Sequence, residues 1–272
     1  MKPILSNVIS DSQSAFVLDR LITDNSSVAY EMLHRMRNRR RGKVEHMAVK
    51  LDVSKAYDRV DWEFLEKITL RIGFPAQWVN LAMLTVHTAS YSIIINGEPC
   101  RYISPSRGIK QGDPLTPYLF LFCTEGLSSL LRKANETRHL KGLTSCQGGV
   151  RISHLLFAND SLLFSEVKTD ECRRLMDVIA QYEKASGQVI NRQKTALFFN
   201  NTRREVQENI RSMFGAQVMT SCEKYLGLLM VGGRSKVNTF KDLQERVSNR
   251  VMGWKEKNIS KAGREVLIKT VA

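Results

Sequence analysis

The sequence predicts an α+β domain in which a mainly antiparallel sheet carries helices on one face. Three observations carry that expectation. Short apolar strands alternate with helical periodicity through the middle of the chain, an Asn96-Gly97 pair lies between two β-prone runs, and two apolar triplets flank the polar turn Ala158-Asn159-Asp160-Ser161. In order, residues 47–51 read as a buried strand. Asp61 caps a helix through Phe64, Leu65, Ile68 and Ile72 that stops at Gly73, and Pro75 opens a second with Trp78, Leu81, Ala82 and Thr85 on one face. Residues 91–95 and 99–103 form a hairpin around Asn96-Gly97, and a helix after Pro114 keeps Leu115, Leu119, Phe122, Leu127 and Leu130 in register. Residues 155–157 and 162–164 are two strands joined by the polar turn. Asp170 caps a helix on Cys172, Leu175, Ile179 and Tyr182 that ends at Gly187, and 189–199 returns as a strand. Amphipathic helices follow over 202–215 and 240–254, with Ser260 capping a last one, so a helical appendage follows the sheet domain.

Composition narrows the function classes. The chain has 272 residues, 43% of them apolar, which excludes disordered and fibrous classes and suits one large domain or two modest ones. Its 41 Lys and Arg against 27 Asp and Glu give a net charge of +14, which points to a polyanionic partner, nucleic acid first and an acidic membrane surface second. No apolar run approaches the ~20 residues that span a bilayer, and the N-terminus carries no secretory signal, so an intracellular protein of nucleus or cytoplasm is expected. The cysteines (Cys100, Cys123, Cys146, Cys172, Cys222) are isolated and odd in number, which supports neither a disulfide framework nor a zinc site, and the five histidines are equally scattered. The basic run Arg35, Arg37, Arg39, Arg40, Arg41 and Lys43 is either a solvated face or a backbone-phosphate contact.

Three segments could carry chemistry. Asp52 directly follows a buried strand, where it either helps a helix begin or holds a hard cation through oxygen. Asp160, in the turn beside Asn159, is either part of a plain polar hairpin or a second carboxylate that meets Asp52 at one sheet edge, as a two-metal phosphoryl-transfer site requires. The loop from Pro105 to Pro117 is either a simple turn before a helix or a phosphate-binding loop with Gly108 and Gly112 for close main-chain approach.

Taken together, KLDVSKAYDRVDW, SRGIKQGDPLTPYLF and LLFANDSLLF, in this order, closely resemble motifs A, B and C of reverse transcriptases of non-LTR (LINE-type) retrotransposons, especially the plant-like group. Gln13-Ser-Ala-Phe-Val17 with Arg20 and Asp24-Asn25, Ser186-Gly-Gln188 with Ile190-Asn191 and Lys194, Tyr225-Leu-Gly227, and Gly253-Trp-Lys255 through Lys261-Ala-Gly-Arg-Glu265 are similar to the same family, so the resemblance covers nearly the whole chain.

The resemblance implies a right-hand polymerase: the C-terminal part of the fingers over 1–45, the palm with motifs A to E over 46–234, and the start of the thumb over 235–272. It implies RNA-directed DNA polymerisation, in which a primer 3′-hydroxyl attacks the α-phosphorus of a dNTP, with two Mg²⁺ ions, or Mn²⁺ in their stead, and with an RNA template and a DNA primer as partners. Asp52 and Asp160 match the metal-binding aspartates, and Val53 adds a backbone carbonyl. Tyr57 matches the steric gate that excludes a 2′-hydroxyl, although by itself it would read as an aromatic core residue. Gln111 and Gly112 match the lining of the nucleotide pocket. Lys194 matches a lysine that protonates the departing pyrophosphate, and Tyr225, Leu226 and Gly227 match the primer grip.

Three departures from the family pattern matter. Motif C normally reads Phe-Ala-Asp-Asp, and Asn159 replaces its first aspartate, so the site lacks one of three anionic groups. In a partly desolvated site the attraction lost is on the order of several kcal/mol, and reduced or absent polymerase activity is expected. Leu229 replaces a proline usual after the Tyr-Leu-Gly turn. The chain also opens inside the fingers and closes at the thumb, as in a truncated element copy. The alternative function is therefore a catalytically inactive nucleic-acid-binding remnant.

Overall fold

The structure, a computed structural model, describes residues 2–38, 44–144, 149–219 and 224–229, together with 241, 244–249, 252, 260 and 265. The chain forms two compact units, Met1–Met230 and Val231–Ala272. The first contains, in order, α1 (Lys2–Val8), α2 (Ile22–Asn38), β1 (His46–Leu51), α3 (Trp62–Ile72), α4 (Ala76–His87), β2 (Tyr91–Ile95), β3 (Glu98–Ile103) and α5 (Thr116–Glu136). There follow β4 (Leu143–Thr144), β5 (Arg151–Ile152), β6 (His154–Phe157), β7 (Asp160–Glu166), α6 (Thr169–Ser186), β8 (Ala196–Phe199), α7 (Arg204–Phe214), β9 (Gln217–Val218), β10 (Lys224–Tyr225) and β11 (Leu228–Leu229). In the second unit residues 241, 244–249 and 252 are helical, and an ion pair joins Lys241 to Glu245 one turn on.

The central sheet has the strand order β6-β7-β1-β8-β9. All neighbours are antiparallel except β8 and β9, so the mainly antiparallel expectation holds. Strand alternation sorts β1 into two faces. Met47, Val49 and Leu51 join Leu163 and Leu197 in a core with Leu127 and Leu131 of α5, Leu175 and Ile179 of α6, and Ile210 and Phe214 of α7. Ala48, Leu162 and Phe164 are buried on the opposite face, and α2 packs along β6, a helix that the sequence reading did not propose. A second core joins α3, α4 and the first half of α5 under residues 56–60, with Phe120 and Phe122 among its largest buried side chains.

Local signals hold where the chemistry is local. The Asp61 carboxylate accepts from the Phe64 N–H at 2.9 Å, and Gly73 ends α3 at φ +109°. The Asn96-Gly97 turn has φ +53° and +87°, the two positive values that a type I′ hairpin needs.

Three expectations need correction. The α4 helix buries Val79, Ala82, Met83 and Val86 and exposes Leu81, because its packing face is rotated by about one residue from the expected one. The N-cap of α6 is Lys168, and Asp170 stands in the first turn, where its charge still suits the helix dipole. The expected strand over 189–199 is broken: Asn191 accepts from the Lys194 N–H through its side chain and from the Thr195 N–H through its carbonyl, so β8 starts only at Ala196. The helix over 202–215 is confirmed as α7, with Arg203 as N-cap. Arg39, Arg40, Arg41, Lys43, Cys146, Cys222, most of 240–254 and the Gly253-to-Lys255 motif lie outside the described residues.

Candidate active site

Register brings the two predicted carboxylates together. Leu51 at the end of β1 pairs with Ser161 of β7, so the next residues along, Asp52 and Asp160, stand opposite each other at one sheet edge. Burial pushes the Asp160 carboxyl above its ordinary range; the neighbouring Asp52 charge adds to the rise and Lys50 opposes it.

The backbone around Val53 is fixed by pairing. Asn191 N–H donates to the Asp52 carbonyl at 2.7 Å and Ser54 N–H to the Val189 carbonyl at 2.9 Å, on either side of a bridge between Val53 and Ile190. This pattern makes Val53–Ile190 a non-hydrogen-bonded pair, which turns the Val53 carbonyl away from 189–191 and toward the β7 side where Asp160 stands. Two carboxylates and a carbonyl form an all-oxygen donor set, which fits a hard dication such as Mg²⁺. Asn159, exposed in the adjacent turn, offers only a neutral carboxamide. Among the described residues no cluster of three His, Cys, Asp or Glu gathers at one place.

The residues after Asp52 are held from two sides. Tyr57 stacks on Phe120 with ring centroids 4.6 Å apart, and burial raises its hydroxyl pKa. Its carbonyl accepts from Ile109 N–H at 2.9 Å, and the Val60 carbonyl accepts from Gly108 N–H at 2.7 Å, which docks the 105–112 loop on this turn. A Cβ on Gly108 would fall 2.7 Å from the Asp58 carbonyl oxygen. From the other side the buried Gln188 donates to the Ala56 carbonyl at 2.8 Å. Gln111 and Gly112 form an exposed turn ahead of α5, with Gly112 at φ +94°. Lys194 is exposed in the turn before β8, next to Thr195, whose Oγ1 accepts from Asp52 N–H at 3.4 Å.

The Tyr225-to-Gly227 segment is a tight hairpin turn, with Leu226 at φ +48° and Gly227 at φ +83° between β10 and β11. Lys50 Nζ donates to the Lys224 carbonyl at 2.7 Å, and the buried Tyr225 hydroxyl donates to Asn25 Oδ1 at 3.1 Å. Burial, and after it the Asp160 charge, push the Tyr225 pKa up, which ties this turn to the carboxylate edge. Leu229 lies in β11 and pairs with Lys224.

Gln13 and Asn25 hold this site in ways that the sequence does not reveal. Gln13, fully buried, reaches the Ala158 N–H, and Asn25 reaches both Leu156 and Tyr225. Both lie inside the family-like segment 13–25, which was the only signal that could have found them.

Comparison with known proteins identifies the family. The family described as "Reverse transcriptase (RNA-dependent DNA polymerase)" matches residues 1–230. An uncharacterized mitochondrial protein of Arabidopsis thaliana is 54% identical over 68 residues, 25% of this chain and 56% of that protein. The transposon TX1 uncharacterized 149 kDa protein of Xenopus laevis is 28% identical over 271 residues, 98% of this chain and 20% of its own length. A retrovirus-related Pol polyprotein from a type-1 retrotransposable element R2 of Nasonia vitripennis is 28% identical over 161 residues, 59% of this chain and 15% of its own. The chain thus spans from under a sixth to just over half of these relatives' lengths. Among solved structures, telomerase of Candida tropicalis in complex with a TWJ fragment of telomeric RNA matches with a TM-score of 0.57 at 12% identity over 88% of this chain and 36% of that one. Its apo form, truncated from the C-terminal domain, gives 0.51 at 14% identity over 71% and 37%. Those two likenesses carry the palm-like polymerase fold alone. The match over 1–230 establishes that this chain belongs to the reverse transcriptase (RNA-dependent DNA polymerase) family.

Proposed function

We propose that this domain extends a primer with dNTPs on an RNA template through a divalent-cation site of Asp52, the Val53 carbonyl and Asp160, and that Asn159 leaves this site short of charge. The observation that supports it most is the Leu51–Ser161 pairing, which sets the two carboxylate residues side by side. In the reaction the primer 3′-hydroxyl attacks the α-phosphorus and pyrophosphate leaves. Mg²⁺, or Mn²⁺, when bound would sharpen that hydroxyl and neutralise the leaving group. Tyr57, braced on Phe120, excludes a 2′-hydroxyl by its bulk. Gln111 and Gly112 line the nucleotide pocket, Lys194 supplies a proton to the departing pyrophosphate, and the Tyr225, Leu226, Gly227 turn holds the primer end. Residues 1–45 serve as the end of the fingers, 46–234 as palm and 235–272 as the opening of the thumb.

Asn159 favours a second reading, in which the domain keeps nucleic-acid binding through its +14 charge and has no chemistry. Mg²⁺-dependent extension of a DNA primer on RNA, compared between this chain and Asn159→Asp, separates the two. Extension that rises at least tenfold in the variant supports the proposal. Equal extension in both overturns the role given to Asn159, and no extension from either, with primer–template still bound, supports the second reading. Among the described residues no helix is long and apolar enough to cross a membrane.

A further inference from the structure

We propose that Gln13 is the positioning residue for the Asn159–Asp160 turn, its carboxamide fixing the Ala158 backbone from outside the hairpin. The proposal rests on the reading of that turn as part of the cation-holding edge. Ala158 is the first residue of a two-residue turn closed by the Phe157–Asp160 pair, and its φ is +53°. Glycine is the usual residue for that conformation, and an L side chain persists there only when its surroundings fix it. A turn of this length offers no partner to the Ala158 N–H, so the donor must find an acceptor elsewhere or stay buried without one.

Gln13 supplies that acceptor across 145 residues of sequence. Its Oε1 accepts from the Ala158 N–H at 3.1 Å and from the Ala15 N–H at 3.0 Å, and its Nε2 donates to Thr124 Oγ1 at 3.3 Å. The residue is fully buried, and the flanking backbone runs parallel to β6: Leu156 N–H donates to the Ser12 carbonyl at 2.7 Å and Ser14 N–H to the Leu156 carbonyl at 3.1 Å. Both ends of the carboxamide are therefore anchored. The oxygen cannot swing off Ala158 without breaking a second bond, and the direction of Asn159 and Asp160 follows from it.

The test measures amide hydrogen exchange on the full chain. Gln13→Met keeps the side-chain length and removes the acceptor. Exchange at Ala158 should accelerate at least tenfold while Val49 and Leu163 in the sheet keep their rates. Unchanged exchange at Ala158 in a folded variant overturns the proposal. Gln13→Glu retains an oxygen in place and should hold Ala158 within threefold of the wild-type rate; a loss as large as in Gln13→Met counts against it. If Gln13→Met does not fold, the wild type decides, since an Ala158 amide that exchanges a hundredfold faster than Leu163 is not clasped. In an Asn159→Asp background, Gln13→Met should lower kcat at least tenfold with KM for primer–template within twofold. Lost protection at Ala158 with unchanged kcat overturns the positioning role. An Asn159→Asp parent without extension counts against the functional reading of the edge, and the exchange result then judges the Gln13 clasp by itself.

Discussion

The Tyr225 hydroxyl and the Asn25 carboxamide oxygen are hydrogen-bonded at 3.1 Å across 200 residues of sequence, and both groups are buried. The same carboxamide donates to the Leu156 carbonyl at 3.0 Å, so one asparagine of α2 joins the turn at 225–227 to the strand that leads into the Asn159–Asp160 turn. Tyr225→Phe removes the donor and leaves Asn25 Oδ1 buried without it. A cost of about 1–3 kcal/mol is expected, read as a shift in the urea midpoint with the slope unchanged. A midpoint equal to that of the wild type would contradict this link.

Gly108 and Gly97 have the same backbone sign and opposite surroundings. A Cβ at Gly108 meets the Asp58 carbonyl oxygen at 2.7 Å, whereas nothing lies within 4 Å of one at Gly97. Gly97→Ala should cost about 1 kcal/mol from its positive φ alone. Gly108→Ala should cost more than that and should also disturb Tyr57, whose carbonyl holds the next residue of the loop. Thermal melts of the two variants check the order, and a Gly108→Ala melt at or above that of Gly97→Ala would refute it.

His154 is buried between Ser128 and Ser153, each 2.9 Å from a ring nitrogen, and burial lowers its pKa to about 4. The unfolded chain binds this proton near pH 6.5 and the folded chain only near 4, so stability drains away as pH falls through that window and is fully present above it. The swing is about 3 kcal/mol on the basis of 1.36 kcal/mol per pKa unit. Glu125, whose carboxyl is raised by burial, acts in the opposite sense, so the comparison must be made between variants. The stability gap between the wild type and His154→Gln should shrink as pH is lowered from 7 to 4.5, measured by urea unfolding. A constant gap would show that the ring titrates normally.

The β2–β3 hairpin exposes Ile93, Ile94, Ile95 and Tyr102 on an isolated two-stranded ribbon. Ile94, 71% exposed, contributes little to the core. Ile94→Lys should change stability by no more than about 0.5 kcal/mol and raise solubility. A larger loss in a chemical melt would mean that the ribbon is covered in solution.

The sheet was legible wherever a local rule fixed it. The Asn96-Gly97 turn and the Asp61 cap each carry their own geometry, and the distance in sequence between Asp52 and Asp160 is closed by a simple antiparallel register. Packing decided the rest. The buried face of α4 is set by its neighbours in the second core, and the periodicity of Trp78, Leu81, Ala82 and Thr85 does not reveal which side they cover. α2 has a weak apolar stripe interrupted by Asn25 and Ser26, which are buried because they bond to β6 and to their own turn. The role of Gln13 is hidden for a similar reason: a polar residue that satisfies a distant backbone amide leaves no periodic trace. Of the site, the carboxylates followed from residue type and motif, whereas the clasping amides of Gln13, Asn25 and Gln188 emerge only once the strands are paired.

Mn²⁺ binding followed by electron paramagnetic resonance tests the shared edge of Asp52 and Asp160 most directly. Asn159→Asp should tighten Mn²⁺ at least tenfold over the wild type, because a third carboxylate joins the two already there, and Asp52→Asn should weaken it by a similar factor. Identical affinities in all three proteins would mean that these side chains do not hold the ion together.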